Sequence, residues 1–399
     1  MKKTVLLTSN MYRPNIGGIE NSLYHMSQGY LDLGYHCVIC VSDIGPNGRA
    51  LSAYETDGDI EIFRYQISNK RGVSRFIGHW IMAIRLLQYL RLKYQPEIVI
   101  CRNHQLCIAL KLAGFKQFSY LVPGVVKFQN AKSNLALSGK SKLSRFAQKL
   151  NIHLNEFIQL LAFKYAKRVF VFSQNMLKQV GQVSPRLKGN IEIVKPGVDT
   201  QRFVMMSPTQ KEALRESLNL QSQGPVYLCI GRFVQAKGFD LAIEAMQFVS
   251  QGTLWIVGDG AEYMQYLAKI ELLSLQHKVK IIPSSNEPEL CYSAADYFIM
   301  SSRYEPLGQT ILEALASGLP IIAFSEQAGV TTATAELLDA GSLFVAEKLS
   351  GESLARAMLK ASVTYDTETY RQLSTRNRQQ AVADFCWLTL CHKLNQSSI

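Results

Sequence analysis

The chain reads as two doubly wound α/β domains, each a parallel sheet covered by helices. Three observations point there. Short runs rich in β-branched and aromatic residues alternate with longer stretches of helical pattern, as in repeated βαβ units. The 399 residues exceed what one core ordinarily organises. The alternation breaks at KPGVDTQRFVMMSP, residues 195–208, where two prolines and a glycine punctuate it and a link between domains is expected.

Taken in order, strands are expected at TVLLTS (4–9), HCVICVS (36–42), IEIFRY (60–65), EIVICR (97–102), SYLVPG (119–124), RVFVFS (168–173) and IEIVKP (191–196). The second half adds VYLCIG (226–231), TLWIVG (253–258), VKIIP (279–283), YFIMSS (297–302), PIIAF (320–324) and GSLFVA (341–346). The opening MKKTVLLTSN carries two lysines, but its apolar run falls short of the ~7–15 residues of a signal peptide, so it reads as a first strand. No apolar run approaches the ~20 residues that span a bilayer.

Nearly half the residues are apolar and no low-complexity tract interrupts them, an ordinary globular composition. The eight cysteines are scattered, and Cys37 and Cys40 fall on opposite faces of a strand, so buried thiols in a reducing cytosol are expected. The formal net charge of +12 is uneven: residues 1–195 hold 27 Lys and Arg against 10 Asp and Glu, and residues 196–399 hold 16 against 21. The basic half calls for an anionic partner. Nucleic acid suits the charge, but no recognisable nucleic-acid motif accompanies it, so none is expected as a partner.

Parallel sheets bind ligands beyond the carboxyl ends of their strands, which directs attention to the loops there. Arg232 and Lys237 follow the strand ending at Gly231, in GRFVQAKG. Gly258, Asp259 and Gly260 follow the next strand, and Arg303-Tyr304-Glu305-Pro306-Leu307-Gly308 a third. Glycines let backbone amides approach a ligand, and two cations from neighbouring loops neutralise a diphosphate without a metal. A helix is expected from Gln309 to Ser317, with Gly318 as its stop, so the amides of Leu307 to Gln309 offer an anion site. Glu305 and Glu313 should then lie on the order of 10 Å apart, wider than the ~5–9.5 Å of paired carboxyls in sugar-cleaving enzymes. Two readings stand: two grips on one extended ligand, or a helix-start acid and a solvated helix residue.

These motifs resemble the retaining, nucleotide-sugar-dependent glycosyltransferases of family 4, which have the GT-B fold of two Rossmann-like domains facing a cleft. The likeness rests on GRFVQAKG, VGDG, the E-x7-E pattern of SRYEPLGQTILEALASGLPIIA, the linker PGVDTQRF and the glycine loop MYRPNIGGIEN. It implies an acceptor-side domain at 1–195, a donor domain at 196–379 and a return of 380–399 to the first domain, with FCWLTLCHKL (385–394) as a helix packed there. It further implies that Arg232 and Lys237 hold the donor diphosphate, Glu305 the sugar hydroxyls, Glu313 the ribose, and the Leu307 and Gly308 amides phosphate. Gly231, Gly258, Asp259, Gly260, Arg303 and Pro306 would line the donor, and Gly17 and Gly18 would face it across the cleft. Many members end the fifth strand with a histidine where SYLVPGVV has Pro123. His104 in CRNHQ is the nearest substitute, and with Glu20 a candidate acceptor-side residue.

The activity so implied is transfer of a hexose or N-acetylhexosamine, from a UDP-sugar rather than GDP-mannose, to a glycan or lipid-linked acceptor in bacterial-type surface polysaccharide assembly. No metal or other cofactor is expected. The alternative is a catalytically impaired nucleotide-sugar-binding or scaffold protein on the same fold. Segments 70–94 and 139–168 interleave basic with apolar residues, either as core-facing helices with solvated basic faces or as contacts with an anionic membrane. A cytoplasmic protein reaching the inner membrane face is the expectation.

Overall fold

In the computed structural model the chain is described throughout except at residues 1, 16, 69–71, 134–141, 188–189, 339–340 and 397–399, with backbone alone at 72–76, 130–133 and 142–148. Lys70, Arg71 and Lys140 of the two basic segments therefore lie outside the described residues. The chain divides into two compact units, Met1–Gly197 with Trp387–Ile399, and Val198–Cys386. The family resemblance implies a return to the first unit at residue 380, and the division falls later. In the structure helix Glu368–Asp384 stays in the second unit, where the Asn377 amide donates to Leu319 O at 2.8 Å and Arg378 to Ala316 O at 2.6 Å.

In the first unit, β1 (Thr4–Thr8), β2 (His36–Ser42), β3 (Tyr54–Asp57), β4 (Ile60–Tyr65), β5 (Ile98–Cys101), β6 (Ser119–Leu121), β7 (Arg168–Val171) and β8 (Ile191–Ile193) form an eight-stranded sheet in the order β3-β4-β2-β1-β5-β6-β7-β8. Strand neighbours pair in parallel except β3 with β4. Parallel neighbours need crossovers, supplied by helices such as Gly18–Asp32, Gly72–Tyr94, His104–Leu112 and Lys142–Tyr165. Strands covered on both faces read as continuous apolar runs, and β1 and β2 are buried almost throughout. β3 is the strand the hydrophobic pattern misses: YETD is exposed along its length and held by a hairpin whose turn is Gly58-Asp59.

The C-terminal helix Trp387–Asn395 lies against helix Gly18–Asp32 of the same unit, with Cys391 Sγ donating to Met26 O at 3.6 Å and the Trp387 ring stacked on His25. None of the eight cysteines forms a disulfide; seven are buried, and Cys386 is exposed.

The second unit contains β9 (Val226–Ile230), β10 (Thr253–Val257), β11 (Val279–Ile282), β12 (Tyr297–Met300), β13 (Tyr304–Glu305), β14 (Ile321–Phe324), β15 (Thr331–Thr332) and β16 (Leu343–Ala346). Six of them make a parallel sheet ordered β11-β10-β9-β12-β14-β16, and β13 pairs β15 separately. Apolar clusters pack on both faces, one around Ile256, Ile299 and Met358, the other around Trp255, Phe298 and Ile311. Chain order reverses at β9/β12 here and at β1/β5 in the first unit. Such switch points open a crevice at the strands' carboxyl ends.

Candidate active site

The loops leaving β9 and β12 meet at the second unit's switch point, and glycine makes the approach possible. After β9 the chain turns through a 3₁₀ turn at Gln235–Lys237 and passes Gly238 at φ +65°. A Cβ on Gly238 would lie 2.1 Å from the Ser301 carbonyl oxygen just beyond β12, so a side chain there would force the loops apart. Without one, Ser301 Oγ donates to Lys237 O at 2.9 Å and Arg303 N to Ala236 O at 2.8 Å.

This seam brings the Lys237 ammonium onto the Glu305 carboxylate as an ion pair, the two side chains 18% and 15% exposed. Glu305 is carried by the short ladder of β13 on β15, with Ala333 N donating to Glu305 O at 3.0 Å. Arg232, in contrast, is exposed, and its guanidinium meets no side-chain partner among the described residues. Gly258 forms the adjacent wall. A Cβ there would sit 2.0 Å from Gly231 O, and Phe233 N donates to Asp259 O at 2.8 Å, so the β9 and β10 loops run in contact. The Asp259 carboxylate accepts from Gly260 N at 2.7 Å and caps its own turn.

Gly308, at φ +76°, caps helix Gln309–Ala316, placing Pro306 and Leu307 in the short connection between Glu305 and the helix. Glu313 lies one turn in. Its carboxylate is neither solvated nor isolated: the buried Tyr292 hydroxyl donates to it at 2.8 Å. Burial pushes this carboxyl up to about 7, against the Tyr292 hydrogen bond and the nearby positive charges of Arg202 and Lys237. Lys237 thus faces both glutamates, through an ion pair to one and its charge on the other. Arg303 sits differently from the expectation of a donor-lining residue. Its guanidinium is forked onto Asp240 with two bonds of 2.8 Å and onto Gln235 O at 2.9 Å, so it braces the loop. Burial opposes ionisation of Asp240, but the Arg303 hydrogen bonds and charge bring its carboxyl below the ordinary value.

Tyr292 and Arg202 escape sequence inspection. Tyr292 reads as one core aromatic in a short helix, and Arg202 follows the linker turn, where it bonds Glu289 at 2.9 Å.

The remaining candidates lie in the first unit. Gly17 is the extended N-cap of helix Gly18–Asp32, with the Glu20 carboxylate turned back over it, and the space a Gly18 side chain would enter is open. His104 begins helix His104–Leu112, capped by Asn103, and its Nε2 lies 3.1 Å from Asn155 Oδ1. Burial lowers the His104 pKa, although the bond to Asn155 opposes this. Pro123 follows β6 after Val122, in a loop held by the buried Gln159, whose amide donates to Gly124 O at 2.9 Å and accepts from Val126 N at 2.8 Å. Arg102 has no counterpart in the sequence reading. It is 1% exposed at the carboxyl end of β5, bonded to Ser22 Oγ and 5.4 Å from the Phe172 ring.

The chain matches known proteins in both units. Residues 16–202 match the family described as Glycosyltransferase Family 4, and residues 210–380 match Glycosyl transferases group 1. The chain belongs to glycosyltransferase family 4. Among relatives of this family 4 chain, mannosylfructose-phosphate synthase of Agrobacterium fabrum is 30% identical over 148 residues, covering 33% of this chain and 32% of that one. The lipopolysaccharide core biosynthesis glycosyltransferase LpsE of Rhizobium meliloti is 32% identical over 135 residues, covering 34% and 38%. The chain matches about a third of the length of these curated relatives. Sucrose-phosphate synthase from Thermosynechococcus elongatus superposes with a TM-score of 0.80 at 20% identity, over 99% of this chain and 98% of that one. Anabaena HepE in complex with UDP and glucose superposes with a TM-score of 0.75 at 17% identity, over 99% of each chain. The family 4 chain has the GT-B fold.

Proposed function

We propose that the chain transfers a hexose or N-acetylhexosamine from a nucleotide diphosphate sugar, a UDP-sugar rather than GDP-mannose, to a hydroxyl of a glycan or lipid-linked acceptor in surface polysaccharide assembly. The observation that carries this is the cation arrangement at β9/β12: Arg232 exposed and unengaged, and Lys237 paired with Glu305 while its charge acts on Glu313. A neighbour of the same fold was solved with UDP and glucose, and relatives named for lipopolysaccharide core synthesis support this class of acceptor.

The bond between the anomeric carbon and the diphosphate oxygen breaks as the acceptor oxygen attacks the same face, so configuration is retained. The pair of electrons leaves with the diphosphate. Arg232 and Lys237 neutralise that developing charge. Glu305 accepts hydrogen bonds from sugar hydroxyls once the donor draws Lys237 toward phosphate, and Glu313 accepts from the ribose. Pro123 supplies no imidazole after β6, so the departing diphosphate oxygen takes the acceptor's proton. The two cations do the work a metal would do, and the reaction runs without one.

Contact with an anionic membrane surface would present a lipid-linked acceptor. Leu150, Leu154 and Phe157, at intervals of four and three on helix Lys142–Tyr165, are exposed beside Lys149, as on a helix lying at a bilayer surface. Among the described residues no helix is long and apolar enough to cross a membrane.

The test is a donor panel of UDP-glucose, UDP-galactose, UDP-N-acetylglucosamine and GDP-mannose, with glycan and lipid-linked acceptors in EDTA. Nucleotide release and the anomeric configuration of the product are followed by NMR. Turnover of a UDP-sugar with retention is expected. Donor binding without turnover across the acceptor panel would favour a nucleotide-sugar-binding protein, and neither binding nor turnover would remove the reading altogether.

A further inference from the structure

A separate pocket lies in the same unit, at the opposite end of the strands from Glu305. A cavity of about 360 Å³ is lined by residues of the segment after the linker, helix Pro208–Ser217 and helix Glu368–Asp384. Asp296, on its floor, immediately precedes β12, so the cavity lies at the amino ends of the strands, away from Glu305 at their carboxyl side. Its volume falls near the lower end of the ~300–1,000 Å³ typical of ligand sites, small for a nucleotide sugar.

The floor holds an unbalanced charge. Lys211, Arg215 and Asp296 are 7%, 6% and 4% exposed. Lys211 Nζ bonds Ala295 O at 2.6 Å, Asp296 at 3.3 Å and the Tyr370 hydroxyl at 3.1 Å. Arg215 bonds Ala294 O at 2.8 Å and Asp296 at 2.6 Å. One carboxylate therefore serves two cations. Burial lowers the Lys211 pKa, Asp296 opposes the shift, and Arg215 adds to it. The other charged lining residues, Glu212, Asp366 and Arg371, are exposed at the rim, where solvent screens them. A buried surplus of charge is costly unless a counter-charge joins it. Above the floor, Met205, Met206, Pro208 and Tyr365 give the walls their apolar and aromatic part, beside the hydroxyls of Ser207, Ser374 and Thr375.

We propose that this cavity binds a small anion, a carboxylate or phosphate monoester carrying an apolar body about the size of one aromatic ring. The anion sits against the Arg215 guanidinium, with Lys211, whose three N–H groups are already bonded, adding its charge, and the body fills the space between the methionines and the tyrosines. The site is independent of the donor assignment, since it shares no residue with the β9/β12 loops.

Isothermal titration of the full chain with phenylbutyrate, phenylbutyl phosphate and the uncharged phenylbutanol tests this. One anion should bind per chain at least tenfold more tightly than the alcohol, and the tighter of the two anions identifies the head group. Met206→Trp, which narrows the cavity from its wall, should weaken the anion at least tenfold. Lys211→Met should bring anion and alcohol to equal affinity. Absence of binding by all three probes overturns the proposal, as does an alcohol as tight as the anions or an anion indifferent to Met206→Trp. Should Lys211→Met fail to fold, the alcohol comparison and Met206→Trp decide.

Discussion

The two units share a topology and differ in what their switch points hold. At β9/β12 the charges are partly exposed and arranged for exchange: Arg232 has no side-chain partner among the described residues, and Lys237 and Glu305 neutralise one another at the surface. At β1/β5 Arg102 is sealed in, bonded to Ser22 and backed by Phe172, and the glycine loop carries Arg13, packed over the Tyr24 ring, and Glu20, turned back over Gly17. Burial lowers the Arg102 pKa to about 10, which leaves it charged at neutral pH as a fixed internal brace. The same sheet architecture thus places an exposed cation and an ion pair at one switch point and a buried cation beside a glycine loop at the other. Topology says where a ligand goes, and the side chains at strand ends say which ligand.

The largest effects should come from the second unit's cations. Arg232→Ala or Lys237→Ala should each lower kcat about 10²–10³-fold in the transfer assay, with the circular dichroism spectrum unchanged. An Arg102→Met variant that matched this loss at unchanged stability would break the contrast between the two switch points.

Glycine substitution separates the units in stability. Gly258→Ala puts a Cβ against Gly231 O at a φ of +149° and should cost about 3 kcal/mol in urea unfolding. Gly18→Ala meets open space and should stay within about 0.5 kcal/mol, so a raised KM in that variant would report a ligand using the space.

Glu313 gives a pH test. Its carboxyl is held at about 7 in the folded chain against an ordinary 4.5, so the fold binds more protons than the unfolded chain between those values. Stability contributed by the protonated form is complete below about 4.5 and is lost as pH rises through about 7. Glu313→Gln should flatten that decline and be on the order of 1 kcal/mol more stable than the parent at pH 8. Donor KM in the parent should rise as pH falls below 7, and in the variant it should be high and independent of pH.

A smaller effect is expected at Arg303. Replacement by Lys loses the two-pronged grip on Asp240 and should cost about 1 kcal/mol, measured by urea unfolding.

How much of this was legible depended on whether the determinant was local. β2, β9 and β12 announce themselves because parallel strands buried on both faces must be apolar along their whole length. β3 does not, since its exposed YETD is a strand only by virtue of pairing with β4, and β13 and β15 are two-residue ladders below any periodicity. Lys237 and Glu305 could be named from their places after strands, but their pairing could not, because Gly238 must first pass against Ser301. Arg303 looked equally available, and its partner Asp240 lies on another helix that only the fold brings near. The raised carboxyl of Glu313 was hidden for the same reason: Tyr292, in a separate helix, turns a helix-surface acid into a half-buried one.

The most direct test is calorimetric titration of UDP and UDP-glucose in EDTA into the parent chain and the Arg232→Ala, Lys237→Ala double variant. One-to-one binding without added metal, weakened at least a hundredfold in the double variant, is the predicted result. Binding that needs a divalent ion, or that survives loss of both cations, would contradict the assignment of the donor diphosphate to the β9/β12 loops.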